Sequence, residues 1–140
     1  MFLTPSELTR YAIEAMQNSY SPYSGFRVGA ALLTASGKIY TGCNIESATY
    51  TPTCCAERTA FFKAVSEGER EFFAIAIVGG KDGKIDGPCP PCGVCRQVMA
   101  EFCAPSFRIY LGTDPLGRYY DEYTLAEMLP FGFGKENLGK

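Results

Sequence analysis

Apolar positions return every three or four residues at the start of the chain, where Leu8, Tyr11, Ala12, Ala15 and Met16 share one stripe. This spacing predicts an amphipathic helix from residue 5 to about residue 19, ending before Ser21-Pro22. Its start carries a separate signal, with Thr4 as N-cap, Pro5 at the first helical position and Glu7 where a capping box needs an acid. The period then changes. Val28-Gly29-Ala30-Ala31-Leu32-Leu33 and Lys38-Ile39-Tyr40-Thr41-Gly42 flank Ala35-Ser36-Gly37, the pattern of an antiparallel hairpin. A second helix is expected over Ala56–Glu67, with Ala60, Phe61, Ala64 and Val65 on one side and Gly68 as its stop. Phe72–Val78 is continuously apolar and reads as a buried strand, whereas Gly79–Pro91 has loop chemistry. A third helix over Gly93–Phe102, a strand over Phe107–Leu111 and a turn at Asp114-Pro115-Leu116-Gly117 come next. A last strand over Arg118–Tyr123 and a short helix from the Thr124 cap to Leu129, closed by Pro130, complete the pattern.

Strands alternating with helices after an opening hairpin describe a three-layer α/β/α single domain over residues 1–140, built on a five-stranded mixed sheet. A chain of 140 residues buries enough surface to hold a core without disulfide staples, so its seven cysteines need another reason. The helices over 56–67 and 93–102 each follow a strand through a loop. Both therefore start at the same edge of the sheet, which puts helix start beside helix start.

Composition removes several chemistries. The chain has no histidine, which excludes Ser-His-Asp and Cys-His catalysis and any H-E-x-x-H metal site. Thirteen basic against fifteen acidic side chains leave a net charge of −2, so no electrostatic grip on nucleic acid is expected. No apolar run reaches the roughly 20 residues of a membrane span, and no membrane partner is expected. Met1-Phe2-Leu3 runs into Thr4-Pro5-Ser6-Glu7 without a basic start or a long apolar stretch, and the cysteine number is odd. Together these favour a reducing, cytoplasmic setting, in which clustered thiols bind metal or react more often than they cross-link.

Two segments carry the thiols: Cys54-Cys55-Ala56-Glu57-Arg58 and Pro88-Cys89-Pro90-Pro91-Cys92-Gly93-Val94-Cys95-Arg96-Gln97. Three thiolates suit a tetrahedral zinc ion and leave its fourth corner open, the mark of a catalytic site. Cys92 and Cys95 are better placed than Cys89, because Pro90 and Pro91 withhold the amide donors that a Cys89-to-Cys92 loop would need. Cys55 is better placed than Cys54, being nearer the helix start, where free amides and the positive dipole end lower a thiol pKa. One divalent ion with three thiolates carries a net negative charge. Two helix starts and the Arg58 guanidinium are the candidates to offset it. Without histidine, Glu57 is the residue beside the metal fit to move protons. A structural zinc knot, or a thioredoxin-like dithiol made of Cys92 and Cys95, uses the same thiols in other ways.

At these residues the sequence resembles the small homotetrameric cytidine deaminases. The likeness runs from Tyr20-Ser21-Pro22-Tyr23-Ser24 through Val28-Gly29-Ala30-Ala31-Leu32, Gly42-Cys43-Asn44-Ile45-Glu46, Cys55-Ala56-Glu57-Arg58-Thr59-Ala60 and Pro91-Cys92-Gly93-Val94-Cys95-Arg96-Gln97 to Glu127-Met128-Leu129-Pro130. Zinc deaminases are already described as a class, three-cysteine variants included, with C-x-E and P-C-x-x-C as their signature. The resemblance implies one zinc ion per subunit, whose bound hydroxide attacks carbon 4 of cytidine or deoxycytidine in pyrimidine salvage, with Glu57 shuttling protons and ammonia leaving. It further implies that Asn44 and Glu46 hold the ribose hydroxyls, that Phe26 stacks on the pyrimidine and that the Ala56 amide meets the base. By the same resemblance Phe133, with Phe131 two residues away, looks like the aromatic that family members lend to a neighbouring subunit's pocket in a homotetramer. Cys89-Pro90-Pro91 departs from the family pattern as an extra thiol-bearing stretch. Aminonucleoside-antibiotic deaminases share the fold, and a non-catalytic zinc-stabilised binding module would share the thiols. The Asn44-Ile45-Glu46 pair favours the nucleoside enzymes.

Overall fold

Period-two alternation builds the sheet, because successive strand residues face opposite sides and here both sides are apolar. A computed structural model describes residues 3–140; the reading of Met1-Phe2 as part of a leaderless start lies outside the described residues. Five strands, β1 (Phe26–Thr34), β2 (Ile39–Cys43), β3 (Phe72–Lys81), β4 (Arg108–Gly112) and β5 (Tyr120–Thr124), line up in the order β2-β1-β3-β4-β5. The β3–β4 pairing is parallel and the other three are antiparallel, giving a mixed sheet.

Four α-helices cover it: α1 (Pro5–Met16), α2 (Ala56–Ser66), α3 (Gly93–Phe102) and the single turn α4 (Leu125–Met128). Leu8, Ala12 and Met16 of α1 pack on Ala31, Leu33, Ala74, Ala76 and Val78, one face of the sheet. The alternate residues Ala30, Leu32, Ile75, Ile77, Ile109 and Leu111 meet Ala60, Phe61 and Ala64 of α2 and Met99 of α3. Three layers result. Phe61, wholly buried, anchors an aromatic cluster with Phe72, Phe102 and Phe107 at ring separations of 5.1 to 6.3 Å. Gly42 sets the approach of α2 to β2, since a methyl group there would lie 2.5 Å from the Ala56 carbonyl oxygen and 2.6 Å from the Ala60 nitrogen. Among the described residues no helix is long and apolar enough to cross a membrane.

The element boundaries differ from the sequence pattern where backbone pairing outweighs composition. The first helix ends at Met16, three residues early, because Gln17, Asn18 and Ser19 turn back onto carbonyls three residues behind them. β3 continues through Gly79-Gly80-Lys81, assigned above to a loop, because β1 also begins earlier, at Phe26, and supplies partners for them. β5 begins at Tyr120 rather than Arg118, since the Asp114 carboxylate accepts from the Arg118 and Tyr119 amides at 2.9 Å and holds them in the turn. The 28–33/38–42 hairpin, the Thr4–Glu7 capping box, the Gly68 stop with φ of +99° and the Thr124 cap stand as expected.

Candidate active site

β2 runs parallel to β3, because each is antiparallel to β1, so the loops leaving both strands emerge at one edge of the sheet. The helices that follow, α2 and α3, start there. Cys55 is the N-cap of α2 and Cys92 the N-cap of α3, both with extended backbone, and neither side chain caps its own helix. Cys95 lies in the first turn of α3 and is buried. Each sulfur is thus left for a partner other than its own backbone.

The three Sγ atoms lie within 4.8 Å of one another, and those of Cys92 and Cys95 are 3.7 Å apart. Tetrahedral zinc with Zn–S bonds of about 2.3 Å places its sulfurs about 3.8 Å apart, so the trio fits the ion. No fourth Cys, Asp or Glu joins them among the described residues. Hydrogen bonding between the Cys55 and Cys95 thiols lowers the pKa of Cys55 and raises that of Cys95. Arg58 Nη2 donates to Cys55 Sγ at 3.2 Å, while its Nε is buried without a partner. A half-buried guanidinium with one orphaned nitrogen thus lies against the Cys55 sulfur. Arg58→Ala is expected to lower kcat about 10–100-fold, the usual worth of a hydrogen bond to a charged group, with Arg58→Lys recovering part of it. An unchanged kcat at unchanged metal content would reduce Arg58 to a surface cation.

Glu57, the second residue of α2, is 5% exposed, and burial lifts its carboxyl to about 7, with the charge on Cys55 acting in the same direction. It faces a cavity of about 270 Å³ whose walls also include Phe26, Asn44, Glu46, Ala56, Cys55 and Cys92. Cys95 and Arg58 reach this group through the sulfurs rather than the cavity wall, and one sequence-assigned residue stands apart. Phe133 does not line this cavity; it sits beside a separate groove against α4 and α3, where Gln97 accepts from its amide at 3.1 Å and donates to its carbonyl at 2.7 Å. Phe131 is fully exposed on the same segment.

Hydrogen bonding narrows what Asn44 and Glu46 have to offer. Asn44 Oδ1 accepts from the Val28 amide at 2.9 Å and from the Ser19 hydroxyl, and Nδ2 donates to the Phe26 carbonyl at 2.8 Å. One N–H donor remains. Glu46 Oε1 accepts from the Tyr23 and Ser24 amides at 3.0 and 3.1 Å, and Oε2 accepts from the Ser24 hydroxyl, leaving one acceptor site. The sequence reading missed Ser24, Thr53 and Pro90 as cavity walls, although Ser24 closes the Tyr20–Ser24 motif. Cys54 and Cys89 line the cavity without joining the sulfur trio, and burial pushes the Cys89 thiol up to about 12. Cys43 and Cys103 are half-buried, and burial raises both thiols.

An α/β/α sheet that brings three thiols to paired helix starts, with a buried carboxylate in the wall of a small cleft, defines a metal-dependent hydrolytic centre of the deaminase class. The chain belongs to the cytidine and deoxycytidylate deaminase family, whose zinc-binding region matches residues 4–111. It is 53% identical over 125 residues to the cytidine deaminase of Sporosarcina psychrophila, covering 89% of this chain and 88% of that protein. Identity to the cytidine deaminase of Halalkalibacterium halodurans is 50% over 131 residues, covering 94% and 95%. The crystal structure of the Burkholderia pseudomallei cytidine deaminase superposes with a TM-score of 0.84 at 43% identity, covering 94% of this chain and 100% of that one.

Proposed function

We propose that this chain hydrolyses cytidine and deoxycytidine to uridine and deoxyuridine, releasing ammonia, with one zinc ion per subunit. The observation that carries the reading is the sulfur trio, with a Cys92–Cys95 separation of 3.7 Å, two of whose members, Cys55 and Cys92, line a cavity that buried Glu57 also lines. Zinc, when bound by Cys55, Cys92 and Cys95, supplies a Lewis acid that makes water nucleophilic near neutral pH. Burial lifts the Glu57 carboxyl to about 7, so near neutral pH both its forms are within reach: as the carboxylate it takes the proton of the attacking water, and as the acid so formed it delivers that proton to the departing amino nitrogen. Ala56 is the first residue of α2, so its amide has no partner within the helix and is free to donate to the base. Phe26, 40% exposed at the rim, offers its ring to the pyrimidine. Asn44 supplies a donor and Glu46 an acceptor to the sugar, a complementary pair for hydroxyl groups.

The test is direct. Purified protein is expected to consume cytidine, followed by absorbance, to release ammonia, and to stop after chelation; zinc should restore it. Metal binding with no ammonia would leave a zinc-stabilised binding module. Thiol–disulfide turnover without zinc would leave a dithiol enzyme.

The chain works as a homotetramer in this reading, with Phe133 entering a neighbour's cleft. Support comes from the apolar surface left open on one chain: Tyr20, Tyr23 and Phe26 near the cleft, and Phe131 and Phe133 on the tail. Patches of that kind mark interfaces. Inactive Phe133→Ala and Glu57→Gln subunits are expected to regain activity when mixed and reassembled, because a mixed tetramer contains clefts with both residues intact. Sedimentation as a monomer with full activity would remove Phe133 from the site. The free state of the chain's seven cysteines accords with a cytoplasmic setting.

A further inference from the structure

The segment joining α1 to β1 is wound tightly around Ser24. Its Gly25 takes φ of +69°, the Gly25 amide closes the turn on the Ser21 carbonyl at 2.9 Å, and the Gly25 carbonyl accepts from the Asp82 amide at 2.7 Å. Lys81, the last residue of β3, donates from Nζ to the Ser24 carbonyl at 2.7 Å. The loop is thus tied to the end of the central strand. From that anchor Ser24 makes three further bonds: its amide donates to Glu46 Oε1, its hydroxyl donates to Glu46 Oε2, and the same hydroxyl oxygen accepts from the Phe26 amide at 3.0 Å.

A carboxylate has about four acceptor sites, and this loop fills three of those on Glu46. Two of the three donors come from Ser24. We propose that Ser24 is a positioning residue for the sugar-binding carboxylate: its hydroxyl locks the Glu46 side chain so that the last free site on Oε2 faces the nucleoside's hydroxyls, making discrimination for a hydroxylated sugar a property of Ser24 as much as of Glu46. The same hydrogen bond holds the Glu46 carboxyl below the ordinary range, which keeps it an acceptor. With its single proton committed to Glu46, the Ser24 hydroxyl has no donor left for substrate, so it acts through Glu46. This inference rests on the reading of Glu46 as the sugar acceptor.

Kinetics with cytidine and 2′,3′-dideoxycytidine separate the roles, because the second substrate lacks the hydroxyls that Glu46 would accept from. Ser24→Ala is expected to lower kcat/KM for cytidine about 10–100-fold, chiefly through KM, and that for the dideoxynucleoside by no more than about threefold. Losses that pass through Phe26 fall on both substrates and cancel in the ratio. Ser24→Thr keeps the hydroxyl and should restore the ratio, and Glu46→Gln should collapse it at least as far as Ser24→Ala. Equal losses on both substrates in Ser24→Ala, with Glu46→Gln selective for cytidine, would overturn the proposal while leaving Glu46 as the sugar acceptor. A Glu46→Gln protein with an unchanged ratio would overturn both.

Discussion

Glu57→Gln is expected to lose about 10²–10⁴-fold in kcat, the usual worth of general acid–base catalysis, while keeping one zinc per chain. The amide matches the carboxylate in size, so the buried pocket at the start of α2 keeps its shape, and the three sulfurs are untouched. What disappears is the ability to take a proton and hand it on. No histidine stands by to replace it. Burial already disfavours the ionised acid and lifts its pKa to about 7, so a neutral amide in the same place is expected to leave the fold at least as stable as before. The informative result is therefore a protein that melts no earlier, binds zinc fully and turns over poorly. Retention of more than a tenth of the activity would remove proton transfer from Glu57.

The cysteines allow an equally sharp division. Cys55→Ser, Cys92→Ser and Cys95→Ser are each expected to abolish zinc retention and, with it, cytidine turnover, because a hydroxyl binds zinc far less well than a thiolate. Cys54→Ser and Cys89→Ser should keep one zinc and remain active, since both sulfurs lie outside the trio despite lining the same cleft. Cys95 is buried, so loss of metal in its variant carries a packing component. Cys92 is exposed, and its variant has no such component. Metal analysis after gel filtration, with urea unfolding to check the fold, reads both. Full zinc in the Cys92→Ser protein would end the three-thiolate assignment.

Much of this molecule was legible in the residues because the signals are local. Leu8, Ala12 and Met16 declare a helix by spacing alone, and the apolar run Phe72–Val78 declares a strand that is buried on both faces from Ala74 to Val78, Phe73 being exposed. The choice of Cys55 over Cys54 followed from proximity to a helix start, and Cys55 is the N-cap. One of the misread boundaries depends on a partner far along the chain. Gly79-Gly80-Lys81 has the composition of a loop and is strand only because Phe26, Arg27 and Val28 pair with it. Composition cannot register a partner fifty residues away.

Ser24 shows the same limit within the site. As sequence it is one serine in a motif rich in tyrosine and serine. Its three bonds to Glu46 and Phe26 exist because the 21–25 turn is fastened to Lys81 at the end of another strand.

The order of residues along the chain determined the helices, the hairpin, the absence of histidine chemistry and the supply of thiols and acids, all of which depend on neighbours a few positions apart. Element order also put both helix starts at one sheet edge; tertiary structure alone decided that Cys92 and Cys95 come within 3.7 Å of each other beside Cys55, and that Glu57 is buried enough to hold a proton. Strand direction and register set those distances and that dielectric, and neither exists until β2 and β3 have both paired with β1.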